Sequence, residues 1–130
     1  MSLMKDDPSF KAGRAMREEL FGAAGVARLD TCDDFVAPFE NYVTRILFGE
    51  TWTRPGLTIR ERALMTLAIA AALGRDIPLR RQVKCAIENG ATKEDIQEVL
   101  LHTTMYIGIA GGVESWASAV EVLKEIGAYD

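Results

Sequence analysis

Glycines, prolines and capping residues cut the stretch from Thr51 to Gly112 into helix-sized pieces, and no piece alternates as a strand would. It opens on Trp52-Thr53-Arg54-Pro55-Gly56-Leu57. Pro55 disfavours a helical Arg54, and Gly56 permits a tight turn, so these residues are expected to form a rigid loop. Thr58 then caps a helix, with Glu61 at the return position of a capping box. The apolar run through Leu73 stops at Gly74. Pro78 fits the first turn of the next helix, which Gly90 ends. Thr92, Glu94 and Asp95 open another with favourable charge at its N-terminus. Gly108, Gly111 and Gly112 are expected to break it, and a last helix runs from about Val113 to Ile126.

The N-terminal third reads the same way. Asp6 or Ser9 can cap a helix that reaches Phe21 and stops at Gly22. Thr31 or Asp33 can start a second, ended by Gly49. Its Phe35, Phe39, Tyr42, Val43, Ile46 and Leu47 recur at helical spacing and define one apolar face. The expectation is an all-α chain forming a single domain over residues 1–130.

The apolar share of 48% supports a packed core, and the net charge of −4 with scattered basic residues argues against nucleic acid. The Ala/Leu run from Ala63 to Leu73 is too short to cross a bilayer, so no membrane partner is expected. No secretory signal is visible, which points to a cytoplasmic protein. Cys32 and Cys85 make neither a CxxC nor a metal-ligand spacing and read as two reduced thiols. The helices Thr58–Leu73 and Asp95–Ile107 are apolar around most of their circumference. Such helices need cover on more than one face, from a subunit interface or from within the monomer.

Residues along the whole chain resemble the carboxymuconolactone decarboxylase family of the alkylhydroperoxidase D-like superfamily. They are Gly13-Arg14-Ala15-Met16-Arg17 with Leu20-Phe21-Gly22, then Trp52-Thr53-Arg54-Pro55-Gly56-Leu57, then Arg62 with Leu64 and Thr66-Leu67-Ala68. Asn89-Gly90, Glu98-Val99-Leu100-Leu101 and Tyr106-Ile107-Gly108-Ile109 complete the match. The Trp52–Leu57 string is the most specific and marks the decarboxylase branch. The resemblance implies a compact all-α domain assembling into a ring-like homo-oligomer, commonly a hexamer. It also implies cofactor-free decarboxylation of a small anionic substrate, a carboxylated muconolactone, in aromatic-acid breakdown.

The chain departs from the family pattern at several positions. The family's histidine, eight residues before the glycine of Asn-Gly, is Gln82 here. The redox branch needs a CxxC where this chain has Arg75 and Pro78, so thiol peroxidase chemistry has no thiol pair. That branch's glutamate is Ala63.

Loss of carbon dioxide from such a lactone requires a cation or hydrogen-bond donors for developing negative charge, and a proton donor. Arg54 is the leading carboxylate clamp, because a guanidinium grips a carboxylate bidentately. Its alternative role is stacking on Trp52 or pairing with a surface acid. Arg17 is a second candidate cation, otherwise a solvated helix face. Trp52 packs or walls the pocket. His102, the sole histidine, stands where the family has glutamine, so histidine and glutamine look exchanged between positions 102 and 82. If their two helices face each other, His102 supplies the titrating group that Gln82 cannot. The competing reading is a histidine satisfied by backbone or by Glu98. Glu114 enters the pocket or favours a helix N-terminus. Cys85 reads as buried packing. A non-catalytic binding or assembly protein is the alternative function.

Overall fold

The computed structural model describes residues 2–130 and divides into two compact units, Met1–Gly56 and Leu57–Asp130. All regular structure among the described residues is helical.

The first unit holds α1 (Pro8–Phe21), α2 (Ala23–Asp30) and α3 (Ala37–Tyr42), which runs on into a π-helical segment, Val43–Thr51. Pro8 begins α1 because the first helical position has no intrahelical use for its missing N–H. The cap is Asp7, in place of the expected Asp6 or Ser9; its carboxylate accepts from the Phe10 N–H at 3.0 Å. Gly22, at φ 68°, ends α1 and starts α2 immediately. This left-handed residue redirects the chain at no steric cost, so the expected stop is also a start.

Close backbone approach fixes α1 against the π-helical segment. A Cβ at Gly13 would lie 1.7 Å from the Thr44 carbonyl oxygen, and one at Gly49 would lie 2.1 Å from that of Ser9. Gly49 therefore sits inside the helical run, where contact demands it, and does not end it as expected. The apolar stripe expected of this helix also faces outward. Phe35, Phe39 and Tyr42 are 92%, 59% and 67% exposed, whereas Ala37, Glu40, Asn41, Thr44 and Phe48 turn inward. A buried charged network, described below, decides the orientation.

The second unit packs α4 (Ile59–Leu73), α5 (Asp76–Glu88), α6 (Lys93–Ile107) and α7 (Ile109–Glu125). Capping boxes begin α4 (Thr58 with Glu61) and α6 (Thr92 with Asp95), satisfying N–H groups that lack helical partners. Gly74, at φ 67°, ends α4, and Gly108, at φ 96°, separates α6 from α7. Gly111 and Gly112 do not break a helix; they lie within α7. A Cβ on Gly112 would come 2.6 Å from Thr104 Cγ2, so the missing side chain lets α7 seat on α6.

The core of this unit joins Leu67, Ala70 and Ala71 of α4 to Leu79 and Val83 of α5. Ile96 and Leu100 of α6 meet Ala119, Val122 and Leu123 of α7 in the same cluster. Each large side chain here contributes about 1.5–3 kcal/mol by leaving water. Helices α4 and α6 also keep an uncovered apolar side. Met65, Ile69 and Leu73 are exposed, as are Leu101, Met105 and Tyr106. Among the described residues no helix is long and apolar enough to cross a membrane.

Candidate active site

In the first unit the π-helical turn delivers the chain into the Trp52–Gly56 loop. The Trp52 N–H donates to the Leu47 carbonyl five residues back, at 2.9 Å, which is the wide-turn register. Thr51 and Thr53 hydroxyls donate to the Ile46 and Gly49 carbonyls. The Arg54 N–H then closes a turn on the Thr51 carbonyl at 3.1 Å. Trp52 is buried and stacks on Phe48, with centroids 6.4 Å apart, so it packs the loop's root. Arg54 is exposed just beyond that anchor. A Cβ at Gly56 would meet nothing within 4 Å, and its φ lies outside the left-handed region. The turn therefore does not need glycine for steric reasons, contrary to the sequence expectation.

Arg17 is not on a solvated face. It is 5% exposed, and its guanidinium lies 5.5 Å over the Phe48 ring. Its Nη1 donates to Glu40 Oε2 at 2.7 Å and to Thr44 Oγ1 at 3.0 Å, while Nε donates to the Gly25 carbonyl. Arg28 donates to the other Glu40 oxygen at 3.1 Å. A buried charge persists when it is paired and hydrogen-bonded, and here that pairing ties α1, α2, α3 and the π-helical segment together. The network sits under Phe48 and so under the root of the Arg54 loop.

The second unit carries the remaining candidates. Gln82 lies on the inward face of α5 at 6% exposure, and its Oε1 has no hydrogen-bond partner among the described residues. His102 is exposed on α6, its ring 5.1 Å from Tyr106. It lines an open hollow of about 410 Å³ with Leu64, Met65, Ala68, Glu98, Val99 and Thr103, and Gln82 is not part of that lining. Helices α5 and α6 take α4 and α7 as their main partners. Glu114 is exposed in the second turn of α7, past the reach of a helix N-terminus, which removes the simpler account of its charge. With Arg75, Asp76 and Ser115 it borders a cavity of about 50 Å³ floored by Ala70, Ala71 and Leu79. Sequence reasoning treated Arg75 only as a missing cysteine. The signal was its place between Gly74 and Asp76, where it stands at the N-cap position of α5 without a side-chain cap bond.

Cys85 is buried, as expected, and burial with the nearby Glu88 charge pushes its thiol up to about 11. Burial and then Glu40, Asp33 and Asp34 push Cys32 up as well. Neither position favours the nucleophilic thiolate at neutral pH.

The model of the carboxymuconolactone decarboxylase family matches residues 37–125, running across the division at Gly56. The chain is 37% identical to the 4-carboxymuconolactone decarboxylase of Acinetobacter baylyi over 125 residues, covering 95% of this chain and 93% of that one. It is 30% identical to the nitrosuccinic acid decarboxylase of Metarhizium robertsii over 118 residues, or 90% and 82% of the two chains. An uncharacterised protein of Methanocaldococcus jannaschii is 32% identical over 95 residues, 73% of this chain and 80% of its own. With the family model matching most of its length and a relative aligned nearly end to end, this chain belongs to the carboxymuconolactone decarboxylase family.

Proposed function

We propose that the protein is a cofactor-free carboxy-lyase acting on a small carboxylated lactone such as 4-carboxymuconolactone. The observation that carries this reading is the built loop: Trp52 anchored on Phe48, with Arg54 presented beyond it on a hydrogen-bonded turn. Near-full-length likeness to two proteins named as decarboxylases supports it. Arg54 takes the role of carboxylate clamp. Arg17 holds the scaffold beneath that clamp. His102 and Gln82 are separate candidates for handling the proton, since Gln82 does not line the hollow beside His102, and Glu114 borders a cavity of its own. The high thiol pKa of Cys85 and the absence of cysteine at Arg75 and Pro78 set peroxidase chemistry aside.

The working form is a homo-oligomer, a ring-like hexamer, in the cytoplasm. The exposed Met65, Ile69, Met105 and Tyr106 on one unit and Phe35 and Phe39 on the other supply apolar area for it. One observation favours a second reading, a ligand-binding family member without catalysis. The family's titrating position is filled by Gln82, which cannot exchange a proton near neutral pH. Incubation with 4-carboxymuconolactone and measurement of carbon dioxide release decides between them. Turnover supports the lyase; saturable binding without turnover supports the binding protein.

A further inference from the structure

A side-chain amide in a packed interior is costly unless both its ends find partners, because it has given up its hydrogen bonds to water. Buried side-chain polar atoms in native proteins are therefore nearly always paired, and one that is not calls for an explanation. Gln82 is such a case. It is 94% buried, and Oε1 has no partner among the described residues. The other buried residues of α5 are Leu79, Val83, Cys85 and Ala86, so the inward face of that helix otherwise carries apolar side chains and a weak thiol. An apolar residue of similar volume would fill the position at lower cost. An amide at this position points to a donor that arrives from outside the fold. An amide oxygen accepts only, so the arriving group carries an O–H or N–H.

Resting on the decarboxylase reading, we propose that Gln82 is a positioning residue whose amide oxygen holds the water that returns a proton to the substrate carbon. In the reaction the bond to the departing carboxylate breaks and carbon dioxide leaves. The bonding pair passes into the lactone carbonyl as an enolate. The enolate then collapses, its carbon takes a proton from the held water, and solvent neutralises the hydroxide left behind. Water has two hydrogens, so one O–H binds Oε1 while the other faces the carbon. A fixed water is worth more than bulk water because its orientation is settled before the enolate forms. The Gln82 amide thereby serves proton return without titrating itself.

The test compares the full-length protein with Gln82→Leu and Gln82→His. Carbon dioxide release from 4-carboxymuconolactone, the solvent deuterium isotope effect and equilibrium unfolding are read on each. Leucine should raise the unfolding midpoint, since it removes an unpaired amide, yet lower kcat by about 100-fold or more. KM should stay within about threefold, because the interaction is made in the transition state. Histidine, which can also accept from water, should keep kcat within about tenfold of the parent and preserve an isotope effect. A merely structural glutamine would give the reverse pattern, a lower midpoint with kcat unchanged, and would overturn the proposal. A crystal structure of the unsubstituted protein gives a second test, needing no variant to fold. An ordered water about 3 Å from Oε1 supports the assignment, and a donor from the protein or a second copy overturns it. No carbon dioxide from the parent protein would sink the decarboxylase reading itself. Turnover by the parent with an unimpaired leucine variant would sink the water assignment alone.

Discussion

Replacing Glu40 with alanine should be among the most damaging single changes in the first unit. The Glu40 side chain is 2% exposed and serves two arginines that differ in setting. Arg28 is 59% exposed, so its 3.1 Å contact is worth about 1 kcal/mol at most. Arg17 is 6% exposed, and losing its 2.7 Å partner leaves a buried guanidinium beside Thr44 and the Gly25 carbonyl. Breaking a buried pair from one side costs about 3–5 kcal/mol, so Glu40→Ala should lose about 4 kcal/mol in all. Set against a typical domain stability of about 5–15 kcal/mol, that is a large share. Urea unfolding followed by tryptophan fluorescence reads it, since Trp52 rests on Phe48, which rests on Arg17. With a slope of about 2 kcal/mol per molar urea, the midpoint should fall by about 2 M. Both proteins must be compared at one concentration, because assembly adds concentration-dependent stability. The double variant Arg17→Met/Glu40→Leu should recover most of the loss, since paired apolar replacement removes the stranded charge. A loss under about 1 kcal/mol for Glu40→Ala would refute the claim that this pair organises the unit.

Four further outcomes are expected. Arg54→Ala should weaken carboxylate ligand binding roughly ten- to hundredfold in calorimetry, as one charge-assisted contact disappears, and unchanged affinity would remove Arg54 from the site. His102→Gln should lower kcat about tenfold or more, and unchanged turnover would take His102 out of the site. Gly13→Ala should destabilise by about 3 kcal/mol or more, because its Cβ would sit 1.7 Å from the Thr44 carbonyl oxygen; a thermal melt within a degree or two of the parent would contradict the close approach. Acid should destabilise the fold through Asp95, whose carboxyl is held below the usual range first by the Thr92 N–H and then by Arg60. That contribution is complete above the unfolded carboxylate range and fades as pH falls through the lowered folded value, so Asp95→Asn should reduce the fall in melting temperature below about pH 4. An identical acid slope in that variant would count against it.

What the sequence disclosed depended on how local its cause was. The capping pairs Thr58 with Glu61 and Thr92 with Asp95 act within one turn, so their residue types reveal them. Gly22 and Gly108 take positive φ and punctuate helices as glycines often do. Gly13, Gly49 and Gly112 look the same in sequence but answer to atoms of distant residues. Arg17 was misplaced for the same reason: its carboxylate partner is 23 residues away, and Met16 and Glu18 beside it give no sign of that pairing. That pair also turned α3, sending Phe35 and Phe39 outward against the apolar periodicity. At the site, the loop ending in Arg54 was legible from Trp52 and Pro55. The orphaned amide of Gln82 was not, since burial and missing partners arise only when helices meet.

The π-helical segment sets a rule about residue count. Each wide turn winds one residue more than an α-turn before its hydrogen bond closes, as the Trp52 N–H does on Leu47. With the wide turns kept, deleting one residue between Val43 and Thr51 would rotate the loop that follows by roughly the 100° that an α-helical residue spans. Trp52 would rotate off Phe48, and Arg54 would point to a new quarter of the surface. Substitutions in this stretch test individual contacts, whereas a change in its length re-aims the loop as a whole. Among homologous chains, those sharing this site should therefore conserve the spacing between Thr44 and Trp52.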